Sequence, residues 1–416
     1  MTLAAGAALH AERLKRVMDA VELREPDRVP VALQTNLWWA RYGGLTIREA
    51  MYDYERITEL GRRAILELEP DLFAPPHQFT TIGPVLDATG FKQLQWPGHG
   101  VGDNQPYQYL DREYMTADEY DEYLFDPTGF YLSKYLPRVL AAAEGLEALP
   151  TIPGLFYMRL VMGVRSFAHP KVVRALDAMR KAGEVAHRLV THTMAFAKEM
   201  EEAGFPISHG AVSIAPFDLF GDYMRGTKGI MTDMYRRRDK LLAAMEKATV
   251  FILRQTIATC KASTSRFVFI PIHWAPDGFM SLEQFKTFWW PTFRKILIGL
   301  IDAGLIPVPL WEADCTSRLE TIADIPRGKA VYWFERTDLV KAKAVLGDVV
   351  CLRGNVPASM LTTGTPEQVD AYCRMLIEKV GKGGGLILDG AFGIPDEAPV
   401  ENVEAIFRAV RKYSPR

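Results

Sequence analysis

Three residues able to bind a metal or carry a proton, Glu312, Asp314 and Cys315, lie within four positions at the end of LIPVPLWEADCT (305–316). The first half of that stretch is apolar and short enough for a buried strand. Other short apolar runs end the same way. FIPIHWAPD (269–277) ends in His273 and Asp277, and VYWFERTD (331–338) in Glu335, Arg336 and Asp338. VVCLRGN (349–355) carries Cys351, Arg353 and Asn355, and GLILDG (385–390) reaches Asp389.

Side chains alternate along a strand, so Glu312 and Asp314 share a face if the strand stays regular. Two ionised carboxylates so placed repel each other. A metal cation, an arginine or a proton offsets the repulsion. His273, Glu312, Asp314 and Cys351 together offer nitrogen, oxygen and sulfur, a mixture that suits zinc better than magnesium or calcium. Plainer roles stand beside this one. A cysteine in an apolar strand is often a small buried hydrophobe, and a histidine at a strand end is often only a hydrogen-bonding group. Asp314 or Thr316 could cap the helix at SRLETI (317–322). Cys315, on the other face, reads as structural. Neither a Gly-x-Ser-x-Gly elbow nor a P-loop is present. KGGG (382–385) precedes a strand and is a poor phosphate cradle.

The polar strand ends need a scaffold that brings them to one rim. After residue 205, apolar runs alternate with helical stretches of 3.6-residue period, such as 236–261, 281–304, 365–380 and 401–413. Six strands are expected there, and RVPVAL (28–33) and DLFAPP (71–76) supply two more. Alternating strand and helix implies a parallel sheet, and continuous apolar strands are covered on both faces. Eight such units make an α/β fold of the (β/α)8 barrel type, whose active site lies at the carboxyl ends of the strands. An open doubly wound sheet is the alternative, but no Gly-x-Gly-x-x-Gly follows the first strand. Residues 77–205 break the rhythm. They are read as a large insertion between the second and third strands, within a single domain spanning 1–416.

Charge and composition narrow the class. The 416 residues carry a formal net charge of −2, with 48% hydrophobic and 24% charged residues, so neither a nucleic acid nor a membrane is an expected partner. No signal-peptide pattern opens the chain and no apolar run is long enough to span a bilayer. Four cysteines are no disulfide framework. The expectation is a cytoplasmic protein with reduced thiols; whether it forms a homo-oligomer is left open.

From about residue 217 the chain resembles the uroporphyrinogen decarboxylase superfamily. The resemblance rests on FGDYMRGTKGIMTDMYRR (220–237), DGFMS (277–281), TDLVKAKAVLGD (337–348), RGNVPASMLTTGTPEQV (353–369), KGGGLIL (382–388) and PVENV (399–403). It covers most of 205–413 and, more weakly, RVPV (28–31). It implies a distorted (β/α)8 TIM barrel and two activities, porphyrin decarboxylation or zinc-dependent methyl transfer to a corrinoid. The porphyrin decarboxylases carry an arginine-rich motif after the first strand. The corresponding PVALQTNLWWARYGG (30–44) has only Arg41, with Trp38 and Trp39, which disfavours a polycarboxylate substrate. The thiol-activating methyltransferases place His-x-Cys at the end of the fifth strand and Cys after the eighth. Here those places hold Trp311 and Ala313, or Glu312 and Asp314, and then Ala391 or Phe392. That thiolate set is absent.

The resemblance is therefore to the branch whose members demethylate aryl methyl ethers. It implies zinc as a Lewis acid, and a corrinoid (cobalamin) carried by a partner protein that takes the methyl group from a methylated small molecule. The proposed metal ligands are Glu312, Cys351 and His273, with Asp314 interchangeable with His273 and whichever is left over serving as acid or base. Arg353 and Asp389 orient substrate. Trp38, Trp39, Tyr42, Trp274 and Trp311 line a flat apolar pocket, unless they are ordinary core. A metal-free decarboxylase or lyase acting on a non-porphyrin carboxylate is the second enzyme reading. A barrel that only delivers a tetrapyrrole is the third.

Overall fold

The computed structural model describes residues 3–149 and 155–414. Eight parallel strands form the barrel: β1 (Ala32–Leu33), β2 (Leu72–Phe73), β3 (Ala211–Val212), β4 (Phe267–Ile272), β5 (Ile306–Trp311), β6 (Val331–Phe334), β7 (Cys351–Val356) and β8 (Leu386–Gly390). Strands β3 to β8 pair in sequence order. Single bridges close the ring. Val31 and Thr35 pair with Leu388 and Ile394 beside β8, β1 pairs with β2, and Phe73 pairs with Ile207 just ahead of β3. All eight strands stand where the apolar runs of the sequence place them.

The crossover helices include α1 (Leu3–Val21) before β1, α2 (Tyr54–Leu68), α3 (Pro170–Glu202), α4 (Arg238–Lys261), α5 (Trp290–Asp302), α6 (Leu339–Leu346), α7 (Pro366–Lys379) and α8 (Val400–Tyr413). Ser281 and Thr365 cap their helices, each accepting a backbone N–H while a glutamine three residues on reaches back. The insertion between β2 and β3 holds a small three-stranded sheet (94–97, 100–101 and 108–109) and the long helix α3. Its positions 150–154 lie outside the described residues.

Strand alternation sorts the barrel interior into layers. At the floor, Ala32, Leu72, Phe267, Ile306, Val308, Val331, Cys351 and Ile387 pack against Val17, Ala20 and Val21 of α1, which plugs the amino-terminal end. Asp71 pins that plug. Its carboxylate, fully buried, accepts from Arg16, Arg28 and the backbone N–H of Val31 at 2.6–2.9 Å. Above the floor, Phe269, Leu310 and Trp333 pack together. The odd-even partners, among them Val268, Ile270, Ile272, Trp311, Tyr332 and Phe334, face the helices and join the main core.

Candidate active site

Register decides which strand ends meet. Ile272 pairs with Trp311 and Trp311 with Phe334, so His273, Glu312 and Glu335 stand level at the mouth of the barrel. Nε2 of His273 lies 3.5 Å from Glu312 Oε1. Nδ1 of the same ring lies 2.6 Å from Oδ2 of Asp222. Asp222 belongs to the wide helical turn that follows β3, over Leu219–Arg225. Its other oxygen accepts the indole N–H of Trp274 at 2.7 Å. One turn earlier, fully buried Asp218 accepts the backbone N–H of His273 and the indole N–H of Trp289, both at 2.7 Å. Two acids four residues apart thus fix both the backbone and the ring of one histidine.

Burial opposes a charged imidazole, but Asp222 and Glu312 outweigh it and hold the His273 pKa up to about 11. Burial, with the nearby charge of Asp222, pushes the Asp218 carboxyl up. Arg318, itself buried, donates to the carbonyls of Ala275, Pro276 and Met280. Since Arg318 follows β5 and those carbonyls follow β4, the contact holds the His273 and Glu312 loops together. A cavity of about 380 Å³ opens beside the ring, lined by His273, Tyr223, Val212, Ser213 and Pro271 among others. Tyr109 packs edge-on against Tyr223 at 6.0 Å. Burial raises the Tyr223 and Tyr107 hydroxyls to about 12, Tyr223 being raised further by Asp222 and Tyr107 by Asp396.

One layer down lies a second polar group. Arg353 donates twice to Asp389, at 2.6 and 2.9 Å, and reaches Gln34. Its guanidinium lies over the Trp333 ring at 3.8 Å. Both members of the ion pair are buried, and burial lifts the Asp389 pKa to about 6 despite Arg353. Arg353 and Asp389 therefore satisfy one another beneath the mouth.

The proposed metal set is not brought together. Cys351 opens β7 in the floor layer, four residues ahead of the level of Glu312, which is about 13 Å along a strand. Burial pushes its thiol up to about 12, away from the thiolate a metal needs. Among the described residues no three His, Cys, Asp or Glu side chains cluster as a metal site. Asp314 also stands apart from Glu312. The chain turns at Ala313, whose φ is +51°, so Asp314 leaves the face of Glu312. It accepts the backbone N–H and hydroxyl of Thr316 at 2.9 and 2.6 Å, a local turn that leads into the short helix Thr316–Arg318.

The aromatic residues divide similarly. Trp311 faces outward, in a cluster with Trp289, Phe293, Tyr332 and Phe334. Trp38 is buried, bonds to the Ala398 carbonyl and stacks on Tyr42 at 4.9 Å, with Trp39 edge-on. Trp274 supports Asp222 and packs on Phe279 at 5.1 Å. The residues missed from the sequence are Asp218, Asp222, Tyr223, Tyr107 and Tyr109. The Asp-x-x-x-Asp spacing in FDLFGDY (217–223) was the available signal for the first two. Tyr107 and Tyr109 sit in the aperiodic insertion and gave none.

The uroporphyrinogen decarboxylase (URO-D) family profile matches residues 162–413, more than half of the chain. The chain belongs to the uroporphyrinogen decarboxylase family. Among curated proteins, it is 32% identical to the uroporphyrinogen decarboxylase of Pseudoalteromonas atlantica over 141 residues, covering 33% of this chain and 39% of that one. It is 27% identical to the uroporphyrinogen decarboxylase of Mannheimia succiniciproducens over 206 residues, 49% of this chain and 56% of the relative. These matches span between two fifths and three fifths of the relatives' lengths. Among solved structures, a methyltransferase from Methanosarcina mazei shares the fold at a TM-score of 0.62, covering 96% of this chain and 98% of that one, with 17% identity. This family member thus has the TIM-barrel fold and the expected insertion after the second strand.

Proposed function

We propose that this family member transfers a methyl group from a small methyl ether to an acceptor presented at the barrel mouth, with a corrinoid protein as the acceptor-bearing partner. The observation that carries the reading is His273 held on both ring nitrogens between Asp222 and Glu312. An imidazolium held up to about 11 keeps its proton at neutral pH. It surrenders that proton only to an atom of comparable basicity, such as a phenolate oxygen, whose pKa is about 10. When the acceptor's electron pair attacks the methyl carbon, the carbon–oxygen bond breaks and its electrons stay on oxygen. His273 supplies the proton that makes the product a neutral phenol, and solvent restores it.

The charge of the mouth supports a neutral substrate. Asp222 and Glu312 flank His273, Glu335 stands level with Glu312, and the buried arginines nearby are engaged, Arg318 by backbone carbonyls and Asp277 and Arg353 by Asp389. A porphyrin bearing many carboxylates needs free cations. Zinc does not fit the set of His273, Glu312 and Cys351, and no step is assigned to it. The fold shared with a methyltransferase is compatible with this reading.

The test is to incubate the protein with methoxylated aromatic compounds and reduced cobalamin and to measure the demethylated phenol by mass spectrometry. His273→Gln is expected to lower turnover by roughly 10²–10⁴-fold. Release of carbon dioxide from a carboxylated substrate with no acceptor present would instead establish the decarboxylase reading.

A further inference from the structure

Among the described residues, the segment 155–168, just ahead of α3, holds the longest run of exposed large apolar side chains. Leu155, Phe156, Tyr157, Met158, Leu160, Val161, Met162, Val164 and Phe167 are each 48–79% exposed. The helix Tyr157–Gly163 and the turn Val164–Ala168 bury no residue. A typical monomer's largest apolar patch is roughly 300–600 Å², and nine large side chains exposed to this extent exceed it. Arg159 is the one charged residue between 155 and 164, so the helix is apolar all round. A helix of that kind is unsuited to water and calls for an apolar cover over most of its circumference. A partner face would cover one side.

Charge narrows the occupant. Residues 155–176 hold Arg159, Arg165, Lys171 and Arg174 and no Asp or Glu, in a chain whose net charge is −2. Lys171 reaches Glu147 at 3.2 Å, while the other three have no ion-pair partner among the described residues. A second copy seated on this face would set two such basic segments together, a like-charge arrangement that disfavours association. Helix α3 also carries the segment away from the barrel. Its His192 stacks on Tyr54 beside the barrel, and the start of the helix lies 22 residues earlier, about 33 Å along the axis.

We propose that residues 155–168 dock the protein on an anionic phospholipid surface, with Phe156, Tyr157, Leu160, Val161 and Val164 entering the acyl boundary and Arg159 and Arg165 meeting the headgroups. The chain lies on the bilayer and does not cross it, for no described helix is long and apolar enough to do so. Whole-chain charge, the basis for expecting no membrane partner, averages this local excess away.

The experiment is co-sedimentation of the full chain with vesicles of phosphatidylcholine containing about a quarter phosphatidylglycerol, beside pure phosphatidylcholine vesicles. The expected result is binding to the anionic vesicles that weakens in high salt, and about a tenfold loss in Phe156→Glu/Leu160→Glu and in Arg159→Glu/Arg165→Glu. All four positions are exposed, so an unchanged melting temperature in both variants confirms that folding is intact. Equal sedimentation of native and substituted chains, or no preference for anionic vesicles, would overturn the proposal. So would a native dimer that Phe156→Glu/Leu160→Glu converts to monomer.

Discussion

The carboxylate of Asp222 lies 2.6 Å from Nδ1 of His273, and this pair fixes which protonation state the mouth of the barrel presents. Burial works against the charge on His273, and Asp222 with Glu312 overrides it, to a pKa of about 11. Raised above the unfolded value near 6.5, it makes His273 a source of stability present in full below pH 6.5 and lost as pH rises toward 11. In nuclear magnetic resonance titrations the His273 ring should stay protonated through about pH 8. In Asp222→Asn it should titrate lower. An unchanged titration curve in that variant would separate Asp222 from the charge of the ring.

Gly221 is the contact that lets Trp274 reach Asp222. A Cβ there would stand 2.5 Å from the Trp274 indole nitrogen, too close for any accommodation without movement. Gly221→Ala should displace the indole, free one oxygen of Asp222 and lower turnover by about tenfold while the fold survives. Full turnover with a shifted Trp274 would show that the hydrogen bond does not position His273.

The four cysteines are all buried, with Cys351 raised to about 12 and Cys260 to about 11 by burial. A thiol-reactive dye should find none of them quickly in the native protein and four after unfolding. Cys351→Ala should leave the metal content of the purified protein unchanged, because the thiol sits on the floor. A zinc loss specific to this substitution would reinstate the sulfur ligand.

Removing Arg353 should be costly. Arg353→Met leaves Asp389 buried without its partner, an arrangement that destabilises by about 3–5 kcal/mol. Asp389 already has a raised pKa, about 6, so its contribution is present at low pH and falls away as pH climbs through that value. Urea unfolding should therefore show a larger loss in the variant at about pH 8 than at about pH 5. Arg353→Met/Asp389→Leu should recover much of it.

His77 and His209 predict the opposite slope. Burial holds them down to about 4 and about 3. Pulled below the unfolded value, they contribute stability above pH 6.5 that is lost as pH falls through those values. The difference in unfolding free energy between the native chain and His77→Gln/His209→Gln should change over that acid range and stay flat above it.

What the sequence alone determined was the scaffold and half of the mouth. Strand and helix periods are local properties, so the eight strands and their crossovers were legible from the order of apolar runs. His273 and Glu312 end adjacent strands, and the register placed them together as expected. Adjacent residues on a strand face opposite ways, which already set Trp311 against Glu312. The tertiary structure decided the rest. The depth of Cys351 along the barrel depends on how β7 is staggered against strands far away in sequence. The turn at Ala313 that carries Asp314 off its face is a backbone event with no periodic signal. Asp222 reaches His273, 51 positions further along the chain, because a wide helical turn after β3 packs over the β4 end. Polar groups find their partners through space, and a carboxylate between two donors looks, in the sequence, like any other carboxylate.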